Sequence, residues 1–89
     1  MNAIITVVGG DKVGIIAKVS AFLADRNINI EDISQTILSG NFVMMMMVNL
    51  SSCSEALEDV KRELAVLGET VNVSISLMHE KVFSAMHRI

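Results

Sequence analysis

Apolar positions along the chain follow two rhythms, and the switches between them mark out the elements. Residues 3–8, Ala-Ile-Ile-Thr-Val-Val, form an apolar run that reads as a buried strand. From Ile15 to Arg26 the period becomes helical. Ile15, Val19, Phe22 and Leu23 share one face, with Lys18, Ser20 and Asp25 largely away from it. Asp11 is placed to cap the turn into this helix and Asn27 to stop it. An extended segment follows from Ile28 to Leu38. Its apolar phase slips between Ile30 and Ile33, which predicts a bulge or kink at Glu31–Asp32.

Ser39-Gly40-Asn41 supplies turn residues for a hairpin into a strand over Phe42–Leu50. That strand is apolar on both faces: Phe42, Met44, Met46, Val48 and Leu50 on one, Val43, Met45 and Met47 on the other. It belongs inside a sheet covered on both sides. Ser52 and Glu55 have capping-box spacing ahead of a helical stripe, Leu57, Val60, Leu64 and Leu67. Glu58 stands four residues before Arg62, and Gly68 is expected to end the helix. A last strand alternates, with Val71, Val73, Ile75 and Leu77 inward.

The order βαββαβ, joined by short right-handed connections, gives an α+β ferredoxin-like sandwich: a four-stranded antiparallel sheet with two helices on one face. Residues 1–78 make up this domain. Residues 79–89 form a tail with Val82, Phe83, Met86 and Ile89 at helical spacing, expected as a short amphipathic helix packing on the domain or on a dimer partner.

Composition narrows the function. An 89-residue chain that is 52% hydrophobic, with only Phe22, Phe42 and Phe83 as aromatics, carries much apolar surface for one small core. Association between copies follows as an expectation. A net charge of −3 without a Lys/Arg cluster, and strands nearly bare of aromatics, argue against nucleic acid. Cys53 is the sole cysteine, so no intrachain disulfide forms. The start of the chain lacks a signal-peptide pattern, and the longest apolar run, Phe42–Val48, is too short to span a bilayer. A soluble cytoplasmic protein without membrane contact is expected.

The chemistry concentrates in Gly9-Gly10-Asp11-Lys12-Val13-Gly14, between the first strand and the first helix. A helix entered this way presents backbone N–H groups with no partner inside it, at the positive end of its dipole. Gly9, Gly10 and Gly14 would let a small ligand's carboxylate approach those donors. The same glycines also fit a tight corner that binds nothing. Neither GxGxxG nor GxxxxGK[ST] is present, so no nucleotide cofactor is implied. Asn29 offers a carboxamide with both donors and an acceptor, suited to an α-amino acid, or simply to water at a sheet edge.

Other features favour bland readings. Met44 to Met47 point alternately to opposite faces, which fits core packing better than a Cu(I) site. His79 and His87 lack further ligands for a metal. Cys53 has no neighbouring histidine to activate it. No catalytic residue, metal or cofactor is assigned.

The run Val8-Gly9-Gly10-Asp11-Lys12-Val13-Gly14-Ile15, a helix, and then Asn27-Ile28-Asn29-Ile30-Glu31-Asp32-Ile33 together resemble an ACT domain over residues 1 to about 78. Within that family the chain is similar to stand-alone single-ACT proteins, whose relatives include the two-ACT repressor of the glycine cleavage system. Asp32-Ile33-Ser34-Gln35-Thr36, the methionine-rich third strand and the Phe83…Met86 tail carry this closer likeness. The resemblance implies a non-catalytic regulatory module that binds an amino acid or similar metabolite at a homodimer interface. It points to Gly9, Asp11, Gly14, Asn29 and Ile30 as ligand-binding, with Gly10 beside them. Many members have proline before the glycine at position 14; this chain has Val13, so its loop should be less rigid. Two rivals share the fold: an acylphosphatase-like hydrolase, which needs an arginine in a loop that offers only Lys12, and an association domain without ligand.

Overall fold

The computed structural model describes residues 1–10 and 13–86. Its elements are β1 (Asn2–Gly9), α1 (Ile15–Asp25), β2 (Asn29–Leu38), β3 (Asn41–Asn49), α2 (Leu57–Thr70), β4 (Ser74–His79) and α3 (Glu80–Met86). The four strands form one antiparallel-paired sheet in the order β2-β3-β1-β4, the ferredoxin-like sandwich that the rhythm of the chain predicts.

Strand alternation decides which side chains enter the core. Ala3, Ile5 and Val7 of β1 lie across from Val48, Met46 and Met44 of β3, and Ile5 and Val7 also from Leu77 and Ile75 of β4. All of these are buried beneath Ile15, Val19 and Leu23 of α1 and Val60 and Leu64 of α2. Burying each large side chain contributes about 1.5–3 kcal/mol, and together they hold the helices on the sheet. The opposite face carries Val43, Met45 and Met47, which are half-buried. The methionine run is thus split by the pleat, with Met44 and Met46 sealed at 0% and 1% exposure. α3 follows β4 directly and lies against β1 and β4.

Several local expectations hold. The register shifts between Ile30 and Asp32, leaving Glu31 as the extra residue of a bulge. Leu38 pairs with Asn41 around Ser39 and Gly40, whose φ values of 53° and 79° make a two-residue turn of the kind that suits a hairpin's twist. Asn27, at φ 57°, stops α1: the N–H of Ile28 donates back to the Leu23 carbonyl at 2.9 Å. The last strand starts later than its apolar rhythm implies, so Val71 and Val73 precede it and are half-buried.

Three other expectations fail, two of them for non-local reasons. Ser52 and Glu55 form no capping box; α2 starts at Leu57 with Ala56 at its N-cap, and Glu55 turns instead to Arg26 at the end of α1. Glu58 and Asp59 supply the acidic first turn. Arg62 pairs with Asp59 at 2.8 Å rather than with Glu58. Gly68 does not end α2. It is buried inside the helix, and Asn72, at φ 61°, takes the left-handed position beyond it.

Candidate functional site

The glycine turn has one glycine in the left-handed region. Gly14 sits at φ 74°, ψ −8° as the N-cap of α1, a backbone state in which a Cβ is strained. Its carbonyl accepts the N–H of Lys18 at 3.0 Å, the first bond of the helix. The N–H groups of Ile15, Ile16 and Ala17 precede that bond, and no side chain among the described residues caps them. A Cβ on Gly14 or Gly10 would meet nothing within 4 Å among the described residues, which leave room at both positions beside these donors. Gly9 has a different reason to be glycine. A Cβ there would run into the side chain of Val73, which packs against the end of β1. Asp11 and Lys12 lie outside the described residues, as do His87 and Ile89.

Asn29 and Ile30 lie at the far end of the sheet. Gly9 pairs with Phe42, whereas Asn2 and Asn29 both pair with Asn49. The strand steps between the Gly9 and Asn2 rows, at about 3.3 Å each, separate the two ends by roughly 23 Å. Within one chain, no small molecule touches both Gly14 and Asn29. Asn29 is exposed and opens the edge strand, while Ile30 is half-buried against the core, across from Val48.

Around Asn29 is a recess of about 500 Å³ lined by Asn27, Ile28, Asn29, Asn49, Ser51 and Ser52. The Asn49 amide donates to Glu31 Oε2 at 3.2 Å and its Oδ1 accepts the Ser51 N–H at 2.8 Å, which holds the following loop in place. The lining side chains are uncharged and rich in donors and acceptors, and two charges touch them, the Glu31 carboxylate on Asn49 and the Met1 ammonium, which donates to Ser51 Oγ at 2.9 Å. Asn49 and Ser51 escape a one-dimensional reading because only strand pairing brings them beside Asn29.

The charges near this end tie elements together. Arg26 Nε donates to Glu63 Oε1 at 2.9 Å and stands 3.2 Å from Glu55 Oε2. Its Nη1 donates to the Phe22 carbonyl at 3.0 Å, and its guanidinium stacks 3.5 Å from the Phe22 ring centroid. Desolvation, with the hydrogen bond and charge of Glu63, raises the Glu55 carboxyl above its ordinary 4.5 against the opposing pull of Arg26.

The remaining reactive side chains are occupied structurally. Cys53 is a half-buried free thiol with Sγ 3.9 Å from the Glu55 carbonyl oxygen. His79 Nδ1 accepts the N–H of Lys81 at 3.0 Å where β4 becomes α3. Among the described residues no three His, Cys, Asp or Glu side chains group to hold a metal ion, and no helix is long and apolar enough to cross a membrane.

Comparison with known proteins agrees with this fold. The chain is 49% identical, over the full length of both, to a UPF0237 protein of Listeria monocytogenes. The structure of an ACT domain protein from Streptococcus pneumoniae superposes with a TM-score of 0.84 at 43% identity, over 93% of each chain. A protein described as a glycine cleavage system transcriptional repressor superposes at 0.76 and 25% identity, over 85% of this chain and 44% of its own. The ACT domain family model matches residues 2–78. The chain belongs to the ACT domain family.

Proposed function

We propose that the protein is a non-catalytic, cytoplasmic regulatory module that binds an amino acid between two copies of itself, residues 79–89 forming an appendage to the sensing domain. The observation that carries this reading is the wide separation of Gly14 and Asn29. Each is built like half of a site: unpaired helix N–H groups with open space at one end, a carboxamide shelf at the other. A two-fold axis beside β2 reverses the second copy and brings its glycine turn to the Asn29 end of the first.

β2 suits that contact. It is an edge strand exposed along nearly its whole length, with Ile33, Ile37 and Leu38 bare at 38%, 62% and 65%. Such an edge is a template for pairing with another chain. An antiparallel pairing centred near Ser34 sets Glu31 and Asp32 across from uncharged Ile37 and Thr36, whereas a parallel pairing would oppose like charges. A ligand carboxylate would lie on the α1 N–H groups and its ammonium and side chain near the partner's Asn29. Binding would favour one dimer geometry and so report a concentration.

The test is a thermal-shift screen against the amino acids, followed by sedimentation. A dimer at micromolar concentration whose melting temperature rises with one ligand's concentration is expected. A dimer indifferent to every amino acid would leave the association domain as the function, and a stable monomer would end both readings.

A further inference from the structure

A second recess, of about 180 Å³, lies on the sheet face away from α1 and α2, beneath α3. Its floor follows the register: Ile4, Met47 and Asp32 form one row across β1, β3 and β2, with Met45 and Ser34 in the next row. Phe83 of α3 closes one side. Two thioethers, an isoleucine and a phenyl ring make the body of the recess apolar. Its polar groups come from the edge strand, Asp32 and the Ser34 hydroxyl, which face the same side two residues apart. The Ile33 N–H donates to Asp32 Oδ1 at 2.9 Å and steadies the carboxylate at the rim.

We propose that this recess binds a small hydrophobic ammonium ion, an aryl or branched alkyl amine in its protonated form. The apolar body would lie on Met45 and Met47 against Phe83, and the ammonium would meet Asp32 with Ser34 as a second acceptor. Size fits, since an apolar cavity of roughly 150 Å³ accommodates a benzene ring. Chemistry fits as well. Thioethers pack favourably against aromatic rings, a phenyl face attracts a cation, and a carboxylate hydrogen-bonds an ammonium more strongly than any neutral donor. Among the described residues the lining includes no lysine or arginine, and the charge it presents to a ligand is the negative one of Asp32. The site therefore selects amines over amino acids and is separate from the one proposed between copies.

The experiment uses the full chain with ¹³C-labelled methionine methyl groups, titrated with benzylammonium, benzyl alcohol and benzoate at neutral pH. Benzylammonium should shift the Met45 and Met47 methyl resonances saturably, with a dissociation constant in the roughly millimolar range expected of so small a ligand. Met44, on the opposite face, should stay still. Asp32→Asn, at an exposed position, should weaken binding about five- to tenfold, and benzyl alcohol should bind the native protein more weakly by a similar factor. Benzoate should not bind. Phe83→Ala should abolish the response, whereas Gly14→Leu should leave it unchanged. Failure of benzylammonium to saturate, equal affinity in Asp32→Asn, or a response centred on Met44 would each overturn the proposal.

Discussion

A Cβ on Gly68 would stand 2.7 Å from the backbone carbonyl oxygen of Val73 and 3.2 Å from Cγ1 of Ile75. α2 therefore approaches β4 as closely as its backbone allows, and the Val73 N–H closes the turn on the Gly68 carbonyl at 2.9 Å. Gly68→Ala should be destabilising, although alanine is about 1 kcal/mol the better helix former. The methyl must displace backbone, and overpacking of that kind costs roughly 1–3 kcal/mol. We expect a net loss of about 1 kcal/mol in urea denaturation. Gly10→Ala, with nothing within 4 Å of its Cβ, is the control and should be neutral or slightly stabilising. Greater stability in Gly68→Ala would disprove the close approach.

What could be read from the chain and what could not divide along the range of the interactions involved. The slip between Ile30 and Ile33 exposes the bulge because alternation is a nearest-neighbour property, and Asn27 and Ser39-Gly40 declare their turns locally. Glu55 misleads because its partner, Arg26, is 29 positions away and outcompetes a local cap. Gly68 misleads because its reason to be glycine lies in the packing of a helix on a later strand. The candidate site follows the same rule. The left-handed glycine at position 14 is legible as a turn glycine, while the Asn29–Asn49 neighbourhood appears only once β2 and β3 are paired. The distance between the two halves is a consequence of topology, since a strand–helix–strand unit brings the chain back to the end of the sheet where it began.

The hairpin at Ser39-Gly40 carries a correctable local strain. Ser39 holds φ 53°, a region serine enters reluctantly and asparagine tolerates. Ser39→Asn should raise stability by about 0.5 kcal/mol without altering the sheet. Chemical denaturation with an unchanged m-value is the appropriate measurement, and lower stability would mean that the serine hydroxyl does something the backbone geometry does not reveal.

Glu55 gives the protein a pH signature. Its carboxyl is raised above 4.5 in the folded state, mainly by desolvation and the nearby Glu63. For an acid shifted upward, the folded state gains relative stability below the unfolded value, and that gain is lost as pH rises through the folded value. At neutral pH the ionised side chain is therefore a liability that glutamine would not share. Glu55→Gln should match or exceed the native melting temperature at pH 7, and the advantage should shrink toward about pH 3.5, where Glu55 is protonated in both states. An advantage that grows on acidification would reverse the sign of the shift.

The proposed shared site makes a prediction that a site within one chain cannot. Gly14→Leu fills the open space before the α1 N–H groups, and Asn29→Ala removes the carboxamide at the other end. Each homodimer should lose binding, the second by roughly 1–3 kcal/mol, the scale of a hydrogen bond to a charged group. In a mixed dimer one of the two sites combines both substitutions and is doubly broken. The other joins the native loop of one chain to the native Asn29 of its partner and is whole. Unfolding and refolding the two variants together should therefore restore native affinity at about a quarter of all sites, since random pairing makes half the dimers mixed. Calorimetry with the ligand from the thermal screen reads this as a recovered stoichiometry at undiminished affinity. Absence of recovery in dimers that do exchange chains would mean that Gly14 and Asn29 do not share a ligand across the interface.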